Sequence, residues 1–140
     1  MSKVYRTAHT VYCLNYHFVW VPKYRRDVLT GYVAERAKEI FHEIGEQYEF
    51  KVEAVNIRED HVHIFLSAPP RYSPARIANI MKSKSAEKLF EEYPRVKEKL
   101  WGGKFWARGY YVGSSGEDVT DDVIKRYIKY HQDARQLRLL

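Results

Sequence analysis

The chain has 140 residues, 45% of them hydrophobic and 30% charged. That suits one folded domain with its own core and excludes a disordered segment. The one cysteine, Cys13, leaves no internal disulfide or Cys-rich zinc site, and no secretory leader or membrane-length apolar run is seen, so a cytoplasmic setting is expected. The net charge of +6 favours polyanionic partners.

Val11 to Val21 is rich in Val, Tyr, Phe and Trp and predicts a first strand, ended by Pro22 and followed by a basic loop at 23–27. After Thr30-Gly31, the apolar positions Val33, Ala37, Ile40, Phe41 and Ile44 predict a helix. Phe50 to Ile57 alternates and predicts a second strand. Arg58-Glu59-Asp60 then turns the chain into a third strand, His61 to Ala68, which makes a hairpin. Pro69-Pro70 stops that strand. Ser73-Pro74 starts a second helix, because Ser caps orphan amides and Pro is tolerated in a first turn. Its stripe is Ile77, Ile80, Met81, Leu89 and Phe90, and Tyr93-Pro94 breaks it.

Lys104 to Val112 is aromatic and predicts a fourth strand. Gly113-Ser114-Ser115-Gly116 reads as a connector within a hinge at 113–117. Acidic residues and Thr120 suit the N-terminus of a last helix at about 118–137. The chain is thus a single domain over 1–140, with its core sheet and helices at about 9–112. The order β-α-β-β-α-β predicts an α+β fold, a ferredoxin-like split βαβ antiparallel sheet with helices on one face. The C-terminal helix carries tyrosines.

Alternation along the third strand places Val62, Ile64 and Leu66 on one face. His61 and His63 share the other, ~7 Å apart, close enough for both imidazoles to turn to one ion. A lone His-x-His is more often a pair of surface histidines. The last helix gives the pair a purpose, because Tyr127 and His131 lie four residues apart on one face. His131 is the natural third metal ligand and Tyr127 a nucleophile. Tyr130, one turn away, is the other candidate nucleophile, and the spacing of Tyr127 from Ile124 also suits packing. The chemistry would be attack of a tyrosine oxygen on a phosphate polarised by the ion, giving a covalent phosphotyrosine and a free 3′-hydroxyl. Reverse attack by that hydroxyl would rejoin the strand without a nucleotide cofactor. Cations stand beside aromatic or small polar residues in Lys23-Tyr24-Arg25-Arg26, Arg71 with Arg76, Lys82 with Lys84, Lys104 with Arg108, and Lys125-Arg126. Any one cluster reads as a solvated surface; the set suits single-stranded nucleic acid.

Several blocks then occur in a telling order: Tyr16-His17-Phe18-Val19-Trp20-Val21-Pro22-Lys23-Tyr24-Arg25, Asp60-His61-Val62-His63, Ser83-Lys84-Ser85, Leu100-Trp101-Gly102-Gly103-Lys104-Phe105-Trp106, Arg108-Gly109-Tyr110-Tyr111 and Ile124-Lys125-Arg126-Tyr127-Ile128. On these, over nearly its whole length, the chain resembles the small HUH transposases with one catalytic tyrosine, the TnpA type encoded by insertion sequences of the 200/605 group. The resemblance implies an enzyme that uses Mg²⁺ or Mn²⁺ to cut and rejoin single-stranded DNA at the ends of a mobile element. It implies a homodimer that binds subterminal DNA hairpins, with the tyrosine helix of one subunit able to complete the site of the other. His61 and His63 match the metal-ligand pair, and Tyr127 matches the nucleophile that becomes joined to a 5′-phosphate. The family usually carries Gln four residues after the tyrosine. Here that place is His131, followed by Gln132 as the alternative ligand, and an imidazole there tilts the site toward Mn²⁺. Lys23, Arg25, Lys82, Lys84 and Arg108 are the candidates for contact with DNA. Two other readings share these residues: a domesticated relative acting on dispersed palindromic repeats, and a module that holds nucleic-acid hairpins without cutting them.

Overall fold

A short N-terminal hairpin, β1 (Tyr5–Arg6) and β2 (Val11–Tyr12), precedes the main sheet, with the Tyr5 and Tyr12 rings 5.9 Å apart. The computed structural model describes residues 4–23, 29–99, 104–114, 125, 126 and 129. The hairpin corrects the expectation of one strand from Val11 to Val21. Val11 and Tyr12 pair back on Arg6 and Tyr5, and the long strand, β3 (Asn15–Trp20), begins only after Cys13-Leu14. Propensity marks extended residues; it does not say which of them share a partner.

Helix α1 (Gly31–Tyr48) buries Ala37, Ile40, Phe41 and Ile44 of the expected stripe, with Val33 half-buried against the core, and buries Gly45 as well. It ends at Glu49, which adopts a left-handed conformation (φ 63°). Gly45 lets β4 (Lys51–Ile57) return close to the helix: a Cβ there would meet Val52 Cγ2 at 2.6 Å and the Phe50 carbonyl oxygen at 3.0 Å. A turn leads into β5 (Val62–Ser67). Helix α2 (Pro74–Glu92) starts as expected, the Ser73 Oγ accepting from the Arg76 amide at 3.1 Å with Pro74 in the first turn. After Tyr93 a further short helix, α3 (Pro94–Lys99), follows. Pro94 ends α2 and is also a good first residue for a new helix, so the break was legible and the restart was not.

The last described strand, β6 (Tyr111–Ser114), lies later than the expected Lys104–Val112. Residues 104–110 follow the end of β3 instead. The Lys23 amide donates to Phe105 O and the Ala107 amide to Val21 O, both at 2.9 Å, around a single Pro22–Trp106 bridge. Both bonds come from the neighbours of Pro22 and Trp106, so the missing proline N–H does not weaken this pairing. Gly109 (φ 94°) then redirects the chain into β6. Gly113 and Ser114 pair with His17 and Tyr16, so they belong to the sheet and not to the expected hinge; 115–117 lie outside the described residues.

The main sheet runs β4-β5-β3-β6 and every neighbouring pair is antiparallel. With β3 as its first strand, this is the split βαβ order expected from sequence. One face, through Phe18, Trp20, Val62, Ile64 and Leu66, forms a single core with Ile40, Phe41, Ile77, Met81 and Leu89 of the helices. Trp106 closes the core at one end and its indole N–H donates to the buried Ser85 Oγ at 2.9 Å. Among the described residues no helix is long and apolar enough to cross a membrane.

Candidate functional site

Because paired residues of antiparallel strands share a face, the register fixes what lies opposite the helices. Asn56, His63, Val19 and Tyr111 form one row across β4, β5, β3 and β6; Phe65, His17 and Gly113 form the next across β5, β3 and β6. His63 therefore lies on the face expected from sequence, with Val62 and Ile64 on the core side. That face is well shielded: Val19 is 0% exposed, His63 5% and His17 6%.

His61 stands one residue before β5, on the same side of the chain as His63 by alternation. Its Nδ1 donates to Asp60 Oδ1 at 2.8 Å, since a carboxylate can only accept. The contact orients the ring through Nδ1, as carboxylates do for metal-binding histidines. His63 is held neutral by its burial. Burial first, then the nearby His17 and His61, lower its pKa to about 4. Its Nε2 is buried and has no hydrogen-bond partner among the described residues. A buried orphan nitrogen beside a second oriented imidazole fits a divalent ion that takes nitrogen ligands. Among the described residues no three His, Cys, Asp or Glu side chains converge as a metal site. Tyr127, Tyr130, His131 and Gln132 lie outside the described residues, as does Arg25; the neighbouring Lys125, Arg126 and Lys129 are helical and exposed.

The structure gathers three of the candidate DNA-contacting residues around 104–109. Lys23 reaches this segment through its amide, and Arg108 is exposed on it. The Lys82 ammonium group donates to Ala107 O and Gly109 O, both at 2.8 Å, on either side of Arg108. Burial pushes the Lys82 pKa down to about 8. Lys82 is therefore engaged by backbone and fastens the segment that presents Arg108. Lys84 is exposed elsewhere, in the groove between α1 and α2 beside Glu43, Glu87 and Glu91.

Sequence reasoning did not single out His17. Its ring centre lies 5.8 Å from that of His63, and Phe65 stands 4.2 Å from the one and 4.3 Å from the other. The signal was present: His17 has the parity of Val19, against the core parity of Phe18 and Trp20.

Comparison with known proteins covers most of the chain. Residues 10–131 match the family model described as "Transposase IS200 like". The ISDra2 transposase TnpA of Deinococcus radiodurans is 39% identical over 123 residues, 88% of this chain and 87% of that protein. The transposase for insertion sequence element IS200 of Salmonella typhimurium is 31% identical over 134 residues, 94% of this chain and 88% of that protein. Among solved structures, a candidate transposase from Deinococcus radiodurans superposes with a TM-score of 0.76 at 29% identity, covering 92% of this chain and 96% of the other. A REP-associated tyrosine transposase bound to a REP hairpin shares the fold, with a TM-score of 0.54 at 15% identity over 93% of this chain and 70% of the other.

Proposed function

The chain belongs to the IS200-like transposase family, enzymes that cut and transfer DNA, and from that premise we propose that it cleaves and rejoins single-stranded DNA through a 5′-phosphotyrosine. The observation that carries the reading is the His61–His63 pair. One imidazole is oriented by Asp60 and the other keeps a buried nitrogen without a partner among the described residues.

In this reading Tyr127 is the nucleophile. Its phenolic oxygen, having given up its proton, attacks the scissile phosphorus; the bond from phosphorus to the 3′-oxygen breaks, and the 3′-oxygen leaves and takes up a proton. The 5′-phosphate stays on the tyrosine. A 3′-hydroxyl of another strand reverses the steps, and the tyrosine regains its proton. Phosphate bond energy is conserved throughout, so no nucleotide cofactor is needed. His61, His63 and His131 would hold a divalent ion, Mg²⁺ or Mn²⁺, which supplies charge stabilisation at the phosphate oxygens. Neutral His63 suits that role, because a protonated imidazole cannot ligate. Lys23, Arg25 and Arg108 would contact the DNA backbone. Subterminal hairpins are the proposed docking elements and a homodimer the working unit. The hairpin held by the REP-associated relative of the same fold supports that choice of ligand.

The test is incubation of the purified protein with single-stranded DNA from the flanks of its own gene and Mn²⁺ or Mg²⁺, followed by a denaturing protein gel. A slow-migrating protein–DNA adduct should form, vanish in Tyr127→Phe, and fall below detection with chelator or in His63→Ala. An adduct that persists in Tyr127→Phe would move the nucleophile to another residue, Tyr130 first. Hairpin binding with no adduct under any condition would leave a binding module.

A further inference from the structure

We propose that His17 is a positioning residue for the metal site: with Phe65, it clamps the His63 ring in the orientation that presents its nitrogen to the ion. The inference rests on the proposed role of His63 as a ligand.

Three observations carry it. The first is register. β3 and β5 are the two central strands, with His17 directly opposite Phe65 and Val19 directly opposite His63. His17 and His63 are thus diagonal neighbours on one face, a separation that rings bridge easily. The second is contact. His17, Phe65 and His63 form a closed triangle of rings: His17 meets Phe65 at 73° with centres 4.2 Å apart, Phe65 meets His63 at 4.3 Å, and the two imidazoles are 5.8 Å apart. The third is the far side of His17. Gly113 lies opposite it on β6, and the Tyr111 phenol folds over that glycine; a Cβ on Gly113 would stand 2.7 Å from Tyr111 Oη. Glycine here leaves room for an aromatic wall beside His17. A ring packed against Phe65 and His63 can hold its neighbour. A metal ligand needs such support, because the residues behind ligands typically change affinity 10–100-fold when removed.

The test compares His17→Ala with His17→Phe, which keeps a flat ring and removes the nitrogens. Two readouts are used: Mn²⁺ affinity of the whole protein by electron paramagnetic resonance, and the His63 imidazole ¹⁵N signals of the metal-free protein. In His17→Ala, Mn²⁺ binding should weaken at least about tenfold, and the His63 signals should broaden or split as the ring samples other rotamers. His17→Phe should restore a single His63 signal and most of the affinity. Unchanged affinity and signals in His17→Ala would overturn the proposal. So would equal loss in both variants, which would make His17 a nitrogen donor and not a clamp. His63→Ala is the control. If wild-type protein binds no Mn²⁺, or binds it equally well in His63→Ala, the metal-site reading itself fails. If wild-type binding depends on His63 and not on His17, the present inference alone fails. Thermal unfolding identifies a variant that has lost its fold, and Phe65→Leu, which opens the same triangle from its other corner, then stands in for His17→Ala.

Discussion

Acidifying the metal-free protein from pH 7 to pH 5 should expose His63 as a specific weak point. The side chain is 5% exposed, and burial, then His17 and His61, lower its pKa to about 4 from 6.5. The sign follows from proton binding. Between pH 4 and 6.5 the unfolded chain holds the proton and the folded chain does not. The contribution to stability is thus intact above pH 6.5 and is lost as pH falls toward 4. Complete loss corresponds to about 3 kcal/mol, and about 2 kcal/mol is already gone at pH 5. That is a large share of the stability of a small domain. Urea unfolding with chelator present, at pH 7 and pH 5, on the wild type and on His63→Gln, isolates the term. The carboxylates titrate in both proteins, so the difference between the two pH-dependent losses belongs to His63. The wild type should lose about 2 kcal/mol more than the variant over this range. Equal losses would mean that His63 is as free to take a proton in the folded protein as in the unfolded chain, and the picture of a dry imidazole would be wrong.

Other parts of the fold make separate predictions. Ser85→Ala removes the acceptor of the buried Trp106 indole N–H and should cost about 1–3 kcal/mol, read as a lowered urea midpoint. Gly45→Ala should destabilise by a similar amount, about 1–3 kcal/mol, despite the better helix propensity of alanine, because the new methyl group meets the Val52 side chain and the Phe50 carbonyl; a stabilised variant would show that β4 can yield. Lys82→Met should lower thermal stability and leave the salt dependence of DNA binding unchanged, since the ammonium group serves Ala107 and Gly109. A fall of about one in the salt slope would instead put Lys82 on a phosphate.

What the sequence made legible depended on whether a pattern is local. The core parity of Val62, Ile64 and Leu66 and the stripe of α1 are periodic within one element, and both are found where periodicity puts them. The failures concern partners. Val11 to Val21 reads as uniformly extended, yet Tyr12 pairs with Tyr5 whereas Tyr16 pairs with Leu66. The aromatic run at Lys104 to Val112 reads as one strand, yet only Tyr111 and Val112 of it lie in β6. Phe105, Trp106 and Ala107 are instead buried by packing, with Phe105 0% exposed and Trp106 against Phe41 and Trp20, and among the described residues one bridge, Pro22–Trp106, ties them to the sheet. Burial and strand formation draw on the same residue types, so composition could not separate them. At the site, the His-x-His pair was legible because it is short and alternating. His17 lies 44 to 46 residues away in sequence and becomes its neighbour only through the β3–β5 register.

That register also links the two parts of the site. β3 carries His17 in its middle, and the chain leaving its end, Val21 to Lys23, is hydrogen-bonded to the segment that presents Arg108 and is fastened by Lys82. The candidate ligand His63 lies on β5, beside β3 and away from both sheet edges. Inner strands of a sheet are typically among the last parts of a domain to open locally, and edges and loops among the first. The ligand that needs accurate placement is thus on the stiffest element. Arg108, exposed on an irregular segment, is free to adapt to a polyanion while remaining tied to the sheet. One strand thereby joins the cation that would meet DNA to the ring that would hold the metal ligand.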